Sequence, residues 1–400
     1  EALDLCLACK GCKHDCPVNV DMATYKAEFL SHYFAGRLRP RTAYSMGLIY
    51  WWARLASKAP AFANLMLHAP VLSSAGKWIA GIAPQRDAPR FASRTFADAF
   101  AAPAGEDHRP PVILWPDTFN NHFFPQTLAA AAEVLNSMGY HVEIPQRSLC
   151  CGRPLYDWGM LDRAKGLLRQ ILDELHEPVA GGVPVVVLEP SCLSVFRDEM
   201  TNLFPADQDA MRLSQQTMLF AEFIERYGAK FTLPQLDRRA LLHGHCHQKA
   251  LAGMTGEQHV LQRMGVSCEQ PEDGCCGMAG AFGFQRGEHY DVAMTIGERA
   301  LLPAAREAPR DTLIIADGFS CHEQIAQTTG RRPMHLAEVV AMALRQSQTS
   351  GNGHRPEESL AVPEKQPAHR DGHRLRSAAI AGAAAATGAV ALEVARRRAK

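Results

Sequence analysis

Residues 112–115 read VILW, residues 150–152 CCG and residues 189–192 EPSC; residues 240–246 then read ALLHGHC, residues 275–277 CCG again and residues 318–321 GFSC. One pattern is spelled twice. In the first copy the apolar strand leads through the helical run QTLAAAAEVLNSMG to Cys150-Cys151, then through MLDRAKGLLRQILDEL to the strand VPVVVLEP and Ser191-Cys192. In the second, ALLHGHC leads through GEQHVLQRMG to Cys275-Cys276, then through YDVAMTIGERALLPAA to the strand DTLIIADG and Ser320-Cys321. Cys192 stands 41 positions after Cys151, and Cys321 stands 45 after Cys276, as duplication predicts. Strands alternating with helices of this length predict parallel α/β units, whose functional loops gather at the carboxyl ends of the strands. The fold class is therefore α/β, with two duplicated domains that bring their cysteines together across a pseudo-twofold axis.

Each cysteine pair lies in a glycine-bounded turn, where both thiols can face one site. Six cysteines at matching positions of two repeats argue against ordinary buried thiols; Cys268, outside the pattern, reads as one. The second copy is the richer. Cys246, Cys275, Cys276 and Cys321 supply four thiolates, against Cys150, Cys151 and Cys192 in the first. His243, His245 and His247 flank Cys246 with the period of a strand, which predicts one shared face. Two roles stand open for them: a ligand or proton relay, or simply orienting the loop. The glycines of GCCGMAGAFG resemble a phosphate loop only superficially; they bring N–H groups near sulfur or permit close packing.

Upstream, the run Cys6-x2-Cys9-x2-Cys12-x3-Cys16-Pro17 has the spacing of an iron–sulfur ligand loop and predicts a 4Fe-4S cluster. Zinc sites usually divide their thiolates between two separated C-x2-C pairs, so four cysteines in one tight run favour iron. Pro17 turns the fourth cysteine away, and in two-cluster carriers that cysteine serves the other cluster. Cys6, Cys9 and Cys12 then want a partner from a second run, which this chain lacks. With Glu1 rather than Met at the start, this predicts the C-terminal part of a longer polypeptide.

Four hundred residues, 47% of them hydrophobic, allow sizeable cores, and 42 basic against 42 acidic residues leave no global field to attract nucleic acid. Twelve cysteines, mostly at motif spacings, fit metal binding in a reducing compartment. The cytoplasm is expected, or a peripheral position on the cytoplasmic face of the inner membrane. From Asp21 to about Phe100 the chain reads as helices punctuated by Pro40, Pro60, Pro70, Pro84 and Pro89, with MATYKAEFL, YSMGLIYWWARLAS and NLMLHA as apolar-periodic pieces. None is long enough to span a bilayer. Tyr50, Trp51 and Trp52 beside Arg54 and Lys58 have the composition of an interfacial belt, but an aromatic stripe of this kind more often packs in a core. Residues 101–111 read as a linker. The expected domains are 1–105 (cysteine run and helices), 106–235 and 236–345 (the two repeats) and 346–400. The last is low-complexity linker followed by SAAIAGAAAATGAVALEVA, favoured as an exposed alanine-rich helix over a weak membrane anchor.

The set EPSC, HCHQKA, GCCGMAGAFG and GFSCHEQI resembles the cysteine-rich domains of glycolate oxidase iron–sulfur subunits and heterodisulfide reductase B subunits. With EALDLCLACKGCKHDCPVNVDMATYKAEF, the likeness over roughly residues 1–345 extends to the C-terminal iron–sulfur portion of fused FAD-linked D-lactate or D-2-hydroxyglutarate dehydrogenases. The resemblance implies that Cys6, Cys9, Cys12 and Cys16 are cluster ligands in a helical ferredoxin-like segment. It makes Cys150, Cys151, Cys192, Cys246, Cys275, Cys276 and Cys321 candidates for a second metal or acceptor site, holding an iron–sulfur cluster or zinc. It further implies FAD on a missing N-terminal part or a separate subunit, and a quinone, cytochrome or carrier flavoprotein as acceptor. The heterodisulfide reductase repeats end in C-x2-C; here Val195 and Gln324 stand three positions after Cys192 and Cys321, against disulfide-reducing chemistry. The expected function is electron relay from a flavin dehydrogenase of D-2-hydroxy acids, with this chain alone not oxidising substrate. The sequence contains no flavin or nicotinamide fingerprint, nucleophile elbow or phosphate loop. The rivals are a thiol/disulfide reductase module and a zinc-bound docking domain.

Overall fold

A computed structural model describes residues 3–101, 108–272 and 274–348. The alanine-rich tail and the middle of the 101–111 linker lie outside the described residues.

Two parallel sheets carry the cysteine repeats. β1 (Pro111–Leu114), β2 (His141–Glu143), β3 (Val185–Val187) and β4 (Thr217–Leu219) stand in the order β2-β1-β3-β4. β5 (Arg239–His243), β6 (Ser267–Glu269), β7 (Leu313–Ala316) and β8 (Pro333–Met334) repeat that order as β6-β5-β7-β8. Pairing is parallel throughout. The registers match as well: Ile113 lies beside Val185 as Leu241 lies beside Ile314. In each sheet the order reverses between the first and third strands, where a parallel sheet opens a crevice beyond its carboxyl ends.

Apolar residues on both faces of the central strands bury both faces of each sheet. Val112, Leu114 and Val186 from one sheet join Ala240, Leu242, Leu313 and Ile315 from the other in a single core, closed by the helix Leu336–Gln348. The alternate residues face away from that shared core. Ile113, Val185 and Val187 pack with Cys151 and Cys192, while Leu241, Ile314 and Ala316 pack with Cys276 and Cys321. Strand alternation thus sends corresponding thiols to corresponding faces.

Several elements depart from the periodicity reading. The strand VPVVVLEP is only Val185–Val187, because Pro190 opens a helix, Pro190–Ser194, at the position where a missing N–H costs nothing. The run YDVAMTIGERALLPAA is two helices, Glu288–Gly297 and Leu301–Glu307. The restart puts Pro303 in a first turn, where its ring breaks no hydrogen bond.

The segment before the sheets is a series of short helices. Asp21 caps Met22–Tyr33, its Oδ1 accepting from Ala23 N at 3.0 Å and Thr24 N at 3.1 Å. Pro60 and Pro70 begin Pro60–His68 and Pro70–Ala80. The stripe YSMGLIYWWARLAS divides into Arg41–Ser45 and Ile49–Ala56. Gly47 sits at the break, where a Cβ would fall 2.3 Å from Ala43 O and 2.9 Å from the Trp158 ring. Tyr50 and Ala53 are buried, whereas Trp51 and Trp52 are 37% and 48% exposed, so core packing holds for only one of the three aromatics. Successive helical residues point about 100° apart, and one packed face cannot take all three. Among the described residues no helix is long and apolar enough to cross a membrane.

Candidate metal centre

Strand β5 delivers His243 at its carboxyl end, and the helix Cys246–Leu251 starts three residues later. Cys321 lies in the helix Phe319–Thr329 that follows β7. The turn Cys275-Cys276-Gly277 enters from the loop after β6. Gly277 has φ 87°, and a Cβ there would stand 2.0 Å from Ala293 O, so only glycine turns the pair toward the strand ends. Its N–H points at Cys275 Sγ, 3.3 Å away.

These elements bring one set of thiols together. The free thiols lie in hydrogen-bonding succession, Cys246 beside Cys275, Cys275 beside Cys276, and Cys276 beside both Cys321 and His243. The ligating atoms of His243, Cys276 and Cys321 all lie within 4.8 Å of one another. The hydrogen bond with Cys275 and burial both hold the Cys246 thiol well above its ordinary range. The Cys276 hydrogen bond lowers Cys321, but burial outweighs it and pushes this thiol up to about 11. The thiols therefore keep their protons near neutral pH until a metal displaces them. Four thiols and an imidazole form a soft donor set that fits zinc or an iron–sulfur cluster.

The three histidines do not share a face. The strand ends at His243, so the period of two stops there. His245 instead caps the next helix, its Nδ1 accepting from His247 N at 3.2 Å. It also fills the space above Gly318, where a Cβ would stand 2.3 Å from its ring. His247 packs its ring edge-on against that of His245, centroids 5.1 Å apart, and donates from Nε2 to Ala8 O at 2.9 Å. Burial pushes its pKa well down and keeps the ring neutral.

The first copy repeats the geometry with fewer donors. Cys151 and Cys192 approach to 3.0 Å between sulfurs, and Gly152, with φ 82°, directs its N–H at Cys150 Sγ, 3.5 Å away. Burial pushes Cys192 up to about 12. The matched strand registers set Trp115 where the second copy has His243, and Thr118 where it has Cys246. Thr118 lies beside Cys150, as Cys246 lies beside Cys275. A hydroxyl has thus replaced the fourth thiol and an indole the imidazole.

The N-terminal cysteine run docks against both copies. Burial raises the Cys9 thiol, the Gly11 N–H opposes that, and the neighbouring Cys246, Cys6 and Cys12 raise it further. Cys16 points elsewhere, lowered by the N–H groups of Val20, Val18 and Asn19. The run therefore divides three and one, with Cys246 of the second repeat beside the three. Ala8 and Lys10 take left-handed conformations, φ 52° and 62°, that curl the loop. Lys10 Nζ is fully buried, 2.8 Å from Asp21, 2.7 Å from Asp198 and 3.1 Å from Glu199. Arg153, next to the first cysteine pair, bonds Glu199 and Ala8 O. Lys10 and Arg153 were not singled out in the sequence; their positions inside CLACKGC and CCGRP were the available signal. Glu189, also overlooked in EPSC, links the repeats by accepting from Phe319 N at 2.8 Å. Burial, then Asp117, pushes its carboxyl up to about 7.

Paired parallel sheets with cysteine turns at their crevices define a duplicated cysteine-rich domain. The family model of the cysteine-rich domain CCG matches residues 118–197 and again residues 240–326. The match falls once on each repeat, and the resemblance seen in the motifs holds. It is similar to the D-2-hydroxyglutarate dehydrogenase of Pantoea ananatis, 26% identical over 85% of this chain and 34% of that protein. It is also similar to one of the subunits of the anaerobic glycerol-3-phosphate dehydrogenase of Escherichia coli, 26% identical over 65% of this chain and 66% of that one. Lactate utilization protein A of Bacillus velezensis is 28% identical over 53% of this chain and 90% of its own length. The chain spans about a third of the length of the D-2-hydroxyglutarate dehydrogenases it matches.

Proposed function

We propose that this chain is the iron–sulfur electron-transfer portion of an FAD-linked dehydrogenase of D-2-hydroxy acids, of the D-lactate, D-2-hydroxyglutarate or glycolate class. In this reading residues 1–105 form the ferredoxin-like end and residues 106–235 and 236–345 the two cysteine-rich domains. The observation that carries it is the buried group His243, Cys276 and Cys321, continued by the neighbouring, partly buried thiols of Cys275 and Cys246 toward a second cysteine group at Cys6, Cys9 and Cys12. Bound iron–sulfur clusters would supply one-electron storage at both places. Cys6, Cys9 and Cys12 would hold the first, a 4Fe-4S cluster, and Cys16, turned from them, would serve the cluster of a second run, as the fourth cysteine of such runs does. Cys246, Cys275, Cys276 and Cys321, with His243 at their edge, would hold the second.

The remaining residues position these thiols. The N–H groups of Gly11 and Gly277 point at sulfur and favour the thiolate form. His247 of the second copy and Arg153 of the first both bond Ala8 O and fix the N-terminal loop against the two copies. The aromatic and aliphatic packing around Cys276 and Cys321 excludes water. FAD, on another part of the polypeptide or on another subunit, is the expected donor, and a quinone, cytochrome or carrier flavoprotein the expected acceptor. The disulfide-reductase reading is weakened because Val195 and Gln324, buried at the places of its last cysteines, bear no thiol.

The test uses the full-length enzyme with Cys276→Ser. Substrate should still reduce the flavin in stopped flow while reduction of the acceptor stops. Unchanged acceptor turnover would make the cysteine-rich half a scaffold.

A further inference from the structure

Every exposed large apolar side chain among the described residues, except Met211, lies between Val18 and Ile79. The concentration is greatest in Pro60–His68 and Pro70–Ala80, which bury none of their residues. Phe62 is 64% exposed, Leu65 62%, Val71 81%, Trp78 60% and Ile79 65%. The preceding helix, Ile49–Ala56, adds Trp51, Trp52 and Leu55. Apolar surface on this scale, left to water, marks a docking face.

Charge identifies what the face meets. From Phe29 to Arg86 the chain contains no aspartate or glutamate, although the whole protein balances 42 acids against 42 bases. Arg41, Arg54, Lys58 and Lys77 fall within the same stretch. The Arg41 guanidinium lies over the Trp78 ring, its Cζ 5.3 Å from the centroid, and that of Arg54 lies 5.2 Å from the Tyr50 centroid. Aromatic residues and long cations around an apolar face whose helices carry no acid, with Asp87 paired to Lys77 at 3.1 Å on its edge, match the boundary of an anionic bilayer, where Trp and Arg sit between acyl chains and headgroups. The helices are too short to cross, so they lie in the plane of the interface.

We propose that the helices Ile49–Ala56, Pro60–His68 and Pro70–Ala80 form a membrane-docking surface selective for anionic lipid. The surface is tied directly to the cysteine turns: Tyr50 Oη donates to Ser148 O at 2.7 Å, two residues before Cys150. The reading stands whether or not either cysteine group binds iron.

The experiment is co-sedimentation of the full-length protein with vesicles of phosphatidylglycerol and phosphatidylcholine, against phosphatidylcholine alone, with tryptophan emission recorded in parallel. The expected result is binding only to the phosphatidylglycerol vesicles, weakened by salt, with a blue shift from Trp51, Trp52 and Trp78. Leu65→Glu with Ile79→Glu should lower the partition coefficient at least about tenfold, since each removes a buried apolar side chain. Both positions are exposed, so circular dichroism should not change. Absence of binding, or a double variant that binds like the parent, overturns the proposal. So does a double variant that alters only the oligomeric state or the association with a flavin-bearing partner, because the face would then be a protein interface.

Discussion

Lys10→Met should loosen the N-terminal cysteine loop by about 3 kcal/mol. The ammonium has no solvent exposure and meets three carboxylates, Asp21, Asp198 and Glu199, within 3.1 Å. Removing one partner from a buried ionic group costs about 3–5 kcal/mol, because the remaining charges are left uncompensated. The lower end applies, since Lys13 still reaches Asp198 at 2.6 Å and Arg153 still bonds Glu199. Three kcal/mol is roughly a hundredfold in the ratio of docked to undocked loop. Native-state hydrogen exchange at the amides of Gly11–Asp15, compared at equal iron content, reads that ratio. Burial alone would raise the Asp21 and Asp198 carboxyls, but Lys10, joined by Thr24 at Asp21 and Lys13 at Asp198, reverses it and holds both below the ordinary carboxylate value. Their contribution is therefore complete above the unfolded value and lost as the pH falls through the depressed folded values, so protection of the parent loop should decline in acid. The variant should lose most of that dependence. Exchange rates within about threefold of the parent, with an unchanged pH profile, would refute the network as the anchor.

Other expectations follow from single residues. Burial, then Asp317, pushes Glu257 from 4.5 up to about 8, so the folded protein holds a proton the unfolded chain releases; stability should fall between those pH values by on the order of 4 kcal/mol, and Glu257→Gln should flatten that stretch of the denaturation profile. Gly318→Ala would place a Cβ 2.3 Å from the His245 ring although its φ of −84° suits alanine, so it should destabilise by about 2 kcal/mol, and His245→Ala should recover most of this in a double-mutant cycle. Cys9→Ser should abolish the ferredoxin-type EPR signal and leave the sheets folded by circular dichroism; an intact reduced spectrum would remove Cys9 as a ligand. Thr118→Cys gives the first copy its fourth thiol, and bound metal per chain should rise on reconstitution, whereas an unchanged value would mean that Trp115 closes the site.

The sheets were readable because duplication exposes them: VILW and ALLH, or VPVVVLEP and DTLIIADG, mark central strands that must be apolar on both faces. The outer strands were not readable. β2 and β6 are three residues long and β8 two, too short for periodicity to register, and tertiary pairing alone makes them strands. The cysteines were readable by spacing. Their division was not, since the placement of Cys246 beside Cys9 depends on how the N-terminal loop docks. The histidines failed for a local reason: strand period was extended past His243 into a helix that His245 caps. Trp51 and Trp52 broke the usual rule for aromatic stripes, and the acid-free sequence around them was the cue that they face outward. Lys10 escaped because buried lysines are rare and only the fold reveals three carboxylates around one.

The central claim is that the second cysteine-rich copy is itself a redox centre. The direct measurement is iron and acid-labile sulfide, with the EPR spectrum, on the anaerobically reconstituted and reduced chain carrying Cys6, Cys9, Cys12 and Cys16 as serine. Iron and sulfide in matching amounts, with a signal that Cys276→Ser removes, are the predicted result. Zinc alone, or no metal, would confine electron transfer to the N-terminal run and contradict the account.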